Sequence, residues 1–284
     1  MKEDSEYYDY GPLAAMLEEE WKVTRYSKVE VWCERFSTGV TEQYKISICT
    51  TSMNRLKDIK QTLLKNIADN MGYPNLEFVL LDYNSTDGLG AWVRTHCKKY
   101  LESGLLVFYR TEEPEFYDMS HARNVAFKLA TGDIVNNVDA DSFTNKGFAE
   151  YVNRMANQQP SKAMFAKSRQ LLRGRLGFFK KEFISIRGGY DENLKNYGHD
   201  DQDLMNRAWE LGFTMMPFRG TYYGCTPDHV KKQEGNYEDR AWYTEKRNRF
   251  ESYANILLGK FKANEGRKWG KAKVVKNFEK EIEV

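Results

Sequence analysis

Two carboxylates one residue apart, Asp139 and Asp141 in the run Asn136-Asn137-Val138-Asp139-Ala140-Asp141-Ser142, are the strongest chemical signal in the chain. On extended backbone, side chains two positions apart project from the same side. Two carboxylates so placed make a hard-oxygen site for a divalent cation, Mg²⁺ or Mn²⁺. An Asp-rich turn also forms for a purely local reason, because Asp hydrogen-bonds its own backbone, so the pair needs support from elsewhere. Arg123, in Ser120-His121-Ala122-Arg123-Asn124, is one further candidate, since a guanidinium at a helix start can clamp phosphate oxygens bidentately. The acids of Asp200-Asp201-Gln202-Asp203 are another. Acids in a first helical turn meet the helix dipole favourably, but so many behind Gly198 exceed what capping requires.

Bringing such residues to one place takes strands that end along a common edge. Gly132-Asp133-Ile134-Val135 is a turn feeding a β-branched run, so residues 134–138 form the strand that delivers Asp139. Lys45-Ile46-Ser47-Ile48-Cys49-Thr50 is an earlier strand, followed by the turn Thr51-Ser52-Met53-Asn54-Arg55. Leu56, Ile59, Leu63, Leu64 and Ile67 then share one helical face. Leu76-Glu77-Phe78-Val79-Leu80-Leu81-Asp82 is nearly all apolar, as a parallel strand buried on both faces should be, and ends in the turn cluster Asp82-Tyr83-Asn84-Ser85-Thr86-Asp87-Gly88. A helix over 89–101, a strand over 105–109 and a helix over 116–130 complete the alternation. Such alternation predicts right-handed βαβ units with ligands at the carboxyl ends of the strands, where Asp82 and Asp139 both lie. After Phe148 the rhythm loosens into short strands at 163–166 and 177–179, the glycine turn Arg187-Gly188-Gly189-Tyr190, and a helix through Leu204, Ala208 and Leu211 that Gly212 can end.

The 284 residues, 41% hydrophobic, suffice for one large α/β domain or two small ones. With 43 basic and 41 acidic side chains the net charge is +2, which argues against bulk electrostatic binding of nucleic acid. The 18 tyrosines suit stacking on sugars or nucleotides and equally suit a packed core. Cys33, Cys49, Cys97 and Cys225 show no CxxC spacing and are too sparse for a disulfide scaffold, so a reducing compartment is the default. No run approaches the roughly 20 apolar residues of a membrane span, and the chain is expected to be cytoplasmic. Residues 1–44 carry helical spacing at Leu13, Met16, Leu17 and Trp21 and a strand-like Val29-Glu30-Val31-Trp32, without assignable chemistry. Lys260, Lys262, Arg267, Lys268, Lys271, Lys273 and Lys276, interleaved with Phe261, Trp269 and Val275, have the composition of an interfacial helix. Peripheral contact with the inner face of a membrane is the corresponding expectation, and a solvated charged tail the alternative.

In their order, Thr50-Thr51-Ser52-Met53-Asn54-Arg55, the Asp82 to Gly88 turn, Ser120-His121-Ala122-Arg123-Asn124, and Gly132-Asp133 leading to Asp139-Ala140-Asp141 resemble nucleotide-sugar glycosyltransferases of the GT-A fold, specifically family-2-like inverting enzymes. Arg187-Gly188-Gly189-Tyr190-Asp191 through Tyr197-Gly198-His199-Asp200-Asp201-Gln202-Asp203-Leu204 is similar to the acceptor-side segment of galactosyltransferases and chondroitin-type polymerases. The resemblance spans residues 45–250. It implies an α/β fold with a Rossmann-like, mostly parallel sheet flanked by helices and an acceptor-side α+β portion. The implied division is an N-terminal extension (1–44) packed on the core, a catalytic domain (45–250, donor half 45–148, acceptor half 149–250), and a basic tail (251–284).

The resemblance further implies transfer of a sugar from a nucleotide diphosphate, UDP-sugar favoured, to a hydroxyl of a glycan or glycolipid. A cation, Mn²⁺ or Mg²⁺, would offset charge on the departing diphosphate. Asp141 would be its direct ligand, Asp139 would lie nearer the ribose or the metal, and His229 would complete the shell; a histidine beside two carboxylates favours Mn²⁺. Thr50, Arg55, Asp82, Asn84, Arg123 and the backbone of Tyr83 would engage the nucleotide sugar. The family usually carries a second acid where Tyr83 stands, which leaves the base open. One carboxylate must take the acceptor's proton as it attacks the anomeric carbon; Asp201 falls at that base position, with Asp200 holding the acceptor.

Two other classes share the pattern. A sugar nucleotidyltransferase can use the same sheet and acidic site but needs a Gly-rich basic loop after the first strand, and residues 50–55 contain no glycine. A non-catalytic carbohydrate-binding or scaffold protein of this fold would tolerate loss of Asp139, Asp141 or Asp201, all of which are present. His121 and His199 lie within motifs without an assigned role, and residues 231–249, with Trp242 and Tyr243, form either a loop over the donor or a solvated helix.

Overall fold

The structure is a computed structural model, and it describes residues 9–25, 42–166, 175–186, 188–226 and 235–284. After helix α1 (Gly11–Arg25), three βα steps follow: β1 (Ile46–Ser52) and α2 (Leu56–Asn70), β2 (Leu76–Tyr83) with α3 (Leu89–His96) and α4 (Lys98–Glu102), then β3 (Leu106–Thr111) and α5 (Met119–Leu129). Next come β4 (Ile134–Asn137), β5 (Ser142–Phe143), α6 (Phe148–Gln158), β6 (Ala163–Ala166), β7 (Leu176–Phe179), α7 (Lys180–Ser185) and α8 (Asp200–Glu210). The chain closes with β8 (Thr214–Pro217), β9 (Gly224–Cys225), α9 (Ala241–Leu257), β10 (Lys273–Lys276) and β11 (Lys280–Glu283).

The described residues form a nine-stranded sheet in the order β11-β10-β3-β2-β1-β4-β7-β6-β8, with β5 and β9 as a separate ribbon. Its centre, β3-β2-β1-β4, is parallel. Both flanks bring reversal: β7 runs antiparallel to β4, and β10 antiparallel to β3. Every residue of β1 and β2 is buried because helices cover both faces. On one face Ile48, Leu80 and Phe108 pack with Ile59, Leu63 and Val152; on the other Cys49, Val79 and Leu81 pack with Val125, Ala126 and Leu204. The register places Ser52 beside Asp82 and Asp82 beside Arg110, so β1, β2 and β3 end together. The turns after β1 and β2 are stitched to each other: Asn54 N donates to Ser85 Oγ at 3.0 Å, and Leu56 N to Asp87 Oδ2 at 2.7 Å, capping α2.

Three expectations change. The helix expected over 89–101 is interrupted at Cys97, whose φ of −109° breaks it into α3 and α4 while its thiol is buried. The interfacial helix expected in the tail is a β-hairpin instead, β10 with β11, joined to the sheet edge at β3. Its own alternation shows why: Val274 is 1% exposed and Val275 37%, a period of two that the charge composition masked. Nor is the tail separate at residue 251, since α9 runs through that boundary. At the other end, α1 packs on α9, with Trp21 against Tyr253 at 5.7 Å and Trp21 Nε1 donating to Glu210 Oε1 at 3.0 Å. The Val29-Glu30-Val31-Trp32 run lies outside the described residues.

The C-terminal segment also holds the Gly188–Glu192 loop. Asn264 Nδ2 donates to Gly188 O at 2.6 Å and Tyr190 O at 2.8 Å, and its Oδ1 accepts from Glu192 N at 2.9 Å. The backbones meet so closely that a Cβ on Gly188 would lie 2.1 Å from Ala263 O, at a φ of +106° that only glycine adopts readily. Asn264→Ala is therefore expected to lower the unfolding free energy by about 1–3 kcal/mol, the usual effect of stranding buried hydrogen-bonding groups, as urea denaturation would show. Among the described residues, no helix is long and apolar enough to cross a membrane.

Candidate active site

At the carboxyl edge of the central strands lies a cleft of about 740 Å³. The turn after β1, the Asp139–Asp141 turn after β4, and the N-termini of α8 and α9 form its walls. Past the end of its ladder, the β4 backbone stays beside β1 because Val138 N donates to Cys49 O at 2.8 Å and Thr50 Oγ1 to Val138 O at 2.7 Å. Helix α2 then holds the turn from below, with Thr62 Oγ1 on Ala140 O at 2.7 Å and Asn66 Nδ2 on Ser142 O at 2.9 Å. With its carbonyls so satisfied, the turn presents Asp139 and Asp141 at the cleft.

Each carboxylate already meets a guanidinium. Arg55 Nη2 lies 2.9 Å from Asp141 Oδ2, while Arg55 Nε is fixed 2.7 Å from Asp58 Oδ2. Asp58 in turn accepts from Thr226 Oγ1 at 3.0 Å. Burial, then the like charge of Asp139, raises the Asp141 pKa despite Arg55. Arg123, 1% exposed, bridges Asp139 Oδ1 at 3.0 Å and Asp200 Oδ2. Burial alone would lower the Arg123 pKa, but the charges of Asp200 and Asp139 outweigh it and hold it well above the usual range. Asp200 itself is pushed up to about 6 by burial, against the pull of Arg123. The phosphate clamp expected at Arg123 is thus not the arrangement found: both its Nη groups serve carboxylates, because a buried guanidinium needs paired counter-charge. It joins the turn after β4 to the first turn of α8.

The acids of the α8 first turn divide their work. Asn196, Gly198 and His199 all take left-handed φ, of 62°, 93° and 65°, folding the chain sharply into α8. Glycine is required at 198 because a Cβ there would lie 2.9 Å from Glu245 Cβ on α9. His199 is partly exposed as a residue, yet its Nε2 is enclosed and desolvation pulls its pKa down to about 4. Beyond it Asp200 turns to Arg123, Asp201 lines the cleft half-buried, and Asp203 leaves the site. Asp203 takes Arg207 Nε at 2.7 Å and Ser252 Oγ at 2.8 Å, tying α8 to α9.

Of the residues singled out from sequence, Arg55, Arg123, Asp139, Asp141, Asp200 and Asp201 line this cleft together; the side chains of Thr50, Asp82, Tyr83 and Asn84 do not. Asp82 is inaccessible and accepts from Arg110 Nη1 at 2.6 Å and Ser85 N at 2.8 Å. Tyr83 is buried with its hydroxyl 2.6 Å from His121 Nδ1 and its ring edge-on to Tyr117, linking β2 to α5. Asn84 adopts φ 60° and donates to Pro114 O at 2.9 Å. His229 and Arg187 lie outside the described residues. Sequence reasoning missed Asp58 and Arg110. The three-residue spacing from Arg55 was a usable signal for Asp58, whereas Arg110 follows only from knowing the register of β3. Tyr117, whose OH lies 2.5 Å from Thr51 Oγ1, and Tyr237 also went unassigned, and both line the cleft.

Asp139 and Asp141 each commit one oxygen to a guanidinium. Among the described residues no group of three or more His, Cys, Asp or Glu converges on one point. The remaining carboxylate oxygens suit a hard cation that draws its other ligands from a bound phosphate or water.

A family model described as glycosyl transferase family 2 matches residues 47–198, just over half of the chain. Among solved structures, the mannosyltransferase PcManGT from Pyrobaculum calidifontis, in complex with GDP-Man and Mn²⁺, is 17% identical over 88% of this chain and 86% of that one, with a TM-score of 0.56. TarS 1–349 of S. aureus is 20% identical over 64% of this chain and 60% of its own, at a TM-score of 0.53. GalNAc-T7 with UDP, GalNAc and Mn²⁺ is 14% identical over 66% and 46%, at 0.50. At these identities what is shared is the fold, the α/β GT-A architecture. No curated protein sequence matches the chain. The chain belongs to glycosyl transferase family 2 and is a glycosyltransferase.

Proposed function

We propose that this chain is an inverting enzyme that moves a sugar from a nucleotide diphosphate, UDP-sugar favoured, to a hydroxyl of a glycan or glycolipid. One observation carries the proposal: Asp139, Asp141 and Asp201, from opposite halves of the domain, line one cleft, and Arg123 ties the two sides beneath it. The complexes of similar folds with GDP-Man and Mn²⁺, and with UDP-GlcNAc, support a nucleotide-sugar donor without choosing the base. Asp139 and Asp141 would hold a Mn²⁺ or Mg²⁺ ion, which supplies Lewis-acid stabilisation of the departing diphosphate. Asp201 accepts the proton of the acceptor hydroxyl as that oxygen bonds to the anomeric carbon and the bond from that carbon to the diphosphate breaks. Asp200, clamped by Arg123, orients the acceptor beside it. Family membership sets the nucleotidyltransferase and scaffold alternatives aside. The β10–β11 hairpin leaves membrane contact without the amphipathic helix that motivated it.

Calorimetric titration of the protein with UDP and GDP, with Mn²⁺ and after chelation, tests the donor site. One diphosphate is expected to bind with Mn²⁺, and to lose about ten- to a hundredfold in affinity on chelation and in Asp141→Ala. Failure of both nucleotides to bind under any condition overturns the proposal.

A further inference from the structure

Asp141 already has a cation beside it. Arg55 is 9% exposed, and it is not free to swing aside, because its Nε is anchored to the 1% exposed Asp58 while Nη2 reaches Asp141. Thr226 holds the far oxygen of Asp58, and its own backbone N–H donates to Asp141 O at 2.8 Å, so the anchor and its target belong to one rigid unit. A divalent ion at Asp141 would therefore sit within a few ångströms of a fixed positive charge in a partly desolvated site, where repulsion is poorly screened. A diphosphate arriving with the metal reverses the balance, since its negative charge is attracted to both cations.

We propose that Arg55 is a resident counter-cation of the donor site, which weakens binding of the divalent ion and strengthens binding of the nucleoside diphosphate. This rests on the assignment of Asp139 and Asp141 as metal ligands above. Because Arg55 is held in place, its repulsion of the metal acts with or without the diphosphate, so the reciprocal factor by which each ligand tightens the other belongs to the metal–diphosphate attraction itself. Arg55 is then a positioning residue with effects of opposite sign on the two ligands.

The test is titration with Mn²⁺ alone, followed by its paramagnetic resonance signal, and calorimetry with UDP and GDP with and without Mn²⁺. Wild type, Arg55→Gln and the double variant Arg55→Gln/Asp58→Asn are compared. In Arg55→Gln, bare Mn²⁺ is expected to bind about tenfold tighter and the diphosphate without metal weaker, with the coupling factor unchanged to within about twofold. A lesion that merely disorders the turn weakens both ligands and overturns the inference, as does unchanged Mn²⁺ affinity. If Arg55→Gln fails to fold with Asp58 stripped of its guanidinium, the double variant carries the same comparison. Asp141→Ala separates the two claims. If it abolishes Mn²⁺-dependent nucleotide binding while the Arg55 variants leave bare Mn²⁺ affinity unchanged, only this inference falls; if it changes nothing, the donor-site assignment falls and takes the inference with it.

Discussion

Replacing Asp201 with asparagine is expected to lower kcat by about three orders of magnitude while moving the diphosphate Kd by less than about twofold, the signature of a lost general base. The amide keeps the shape of the carboxylate but cannot take a proton. Asp201 stands half-buried on the cleft wall, where its Oδ1 accepts from Gln202 N at 2.7 Å, and the near-isosteric amide should leave α8 in place. Initial-rate kinetics with calorimetry on the same sample separates the effects. A kcat within about fivefold of wild type would assign the proton transfer elsewhere.

The second large effect is on stability. Arg123→Met strands Asp200, 2% exposed, together with Asp139, and removing one partner of a buried ion pair costs about 3–5 kcal/mol. Urea denaturation of Arg123→Met should show that loss, and adding Asp200→Asn should return part of it, because the stranded charge is gone. The pH dependence has a definite sign. Burial raises the folded pKa of Asp200 from 3.8 to about 6, so the folded state binds this proton more tightly than the unfolded chain does. Such a carboxyl opposes folding above its unfolded pKa, and the opposition is relieved as pH falls through the folded value. Without Arg123 that folded value moves higher still, so the variant's deficit should shrink between pH 7 and pH 5. A deficit constant over that range would mean Asp200 is not the stranded charge.

The parallel half of the sheet was legible because its strands open on aliphatic residues between turn signals, and β1, β2 and β4 begin close to where those residues do. The hairpin was not, because its lysines drew attention from the single buried Val274. In the site, residue types were informative and partners were not. Arg123 reads as a phosphate ligand until Asp200, 77 positions away, is seen on its Nη1. Asp82 reads as a nucleotide contact until Arg110, 28 positions on, is found to neutralise it. Long-range pairing of charges is a property of the fold, and nothing in local spacing encodes it.

The Asn264 clasp and the β10–β3 pairing bear on how the domain is made. The parallel centre can assemble from neighbouring βαβ units as they emerge, with short loops to close. The outer strand cannot, since Val275 pairs with Arg110 across most of the domain, and the Gly188–Glu192 loop cannot be clasped before Asn264 exists. Synthesis therefore completes the parallel centre well before the outer strand is paired and the Gly188–Glu192 loop is clasped.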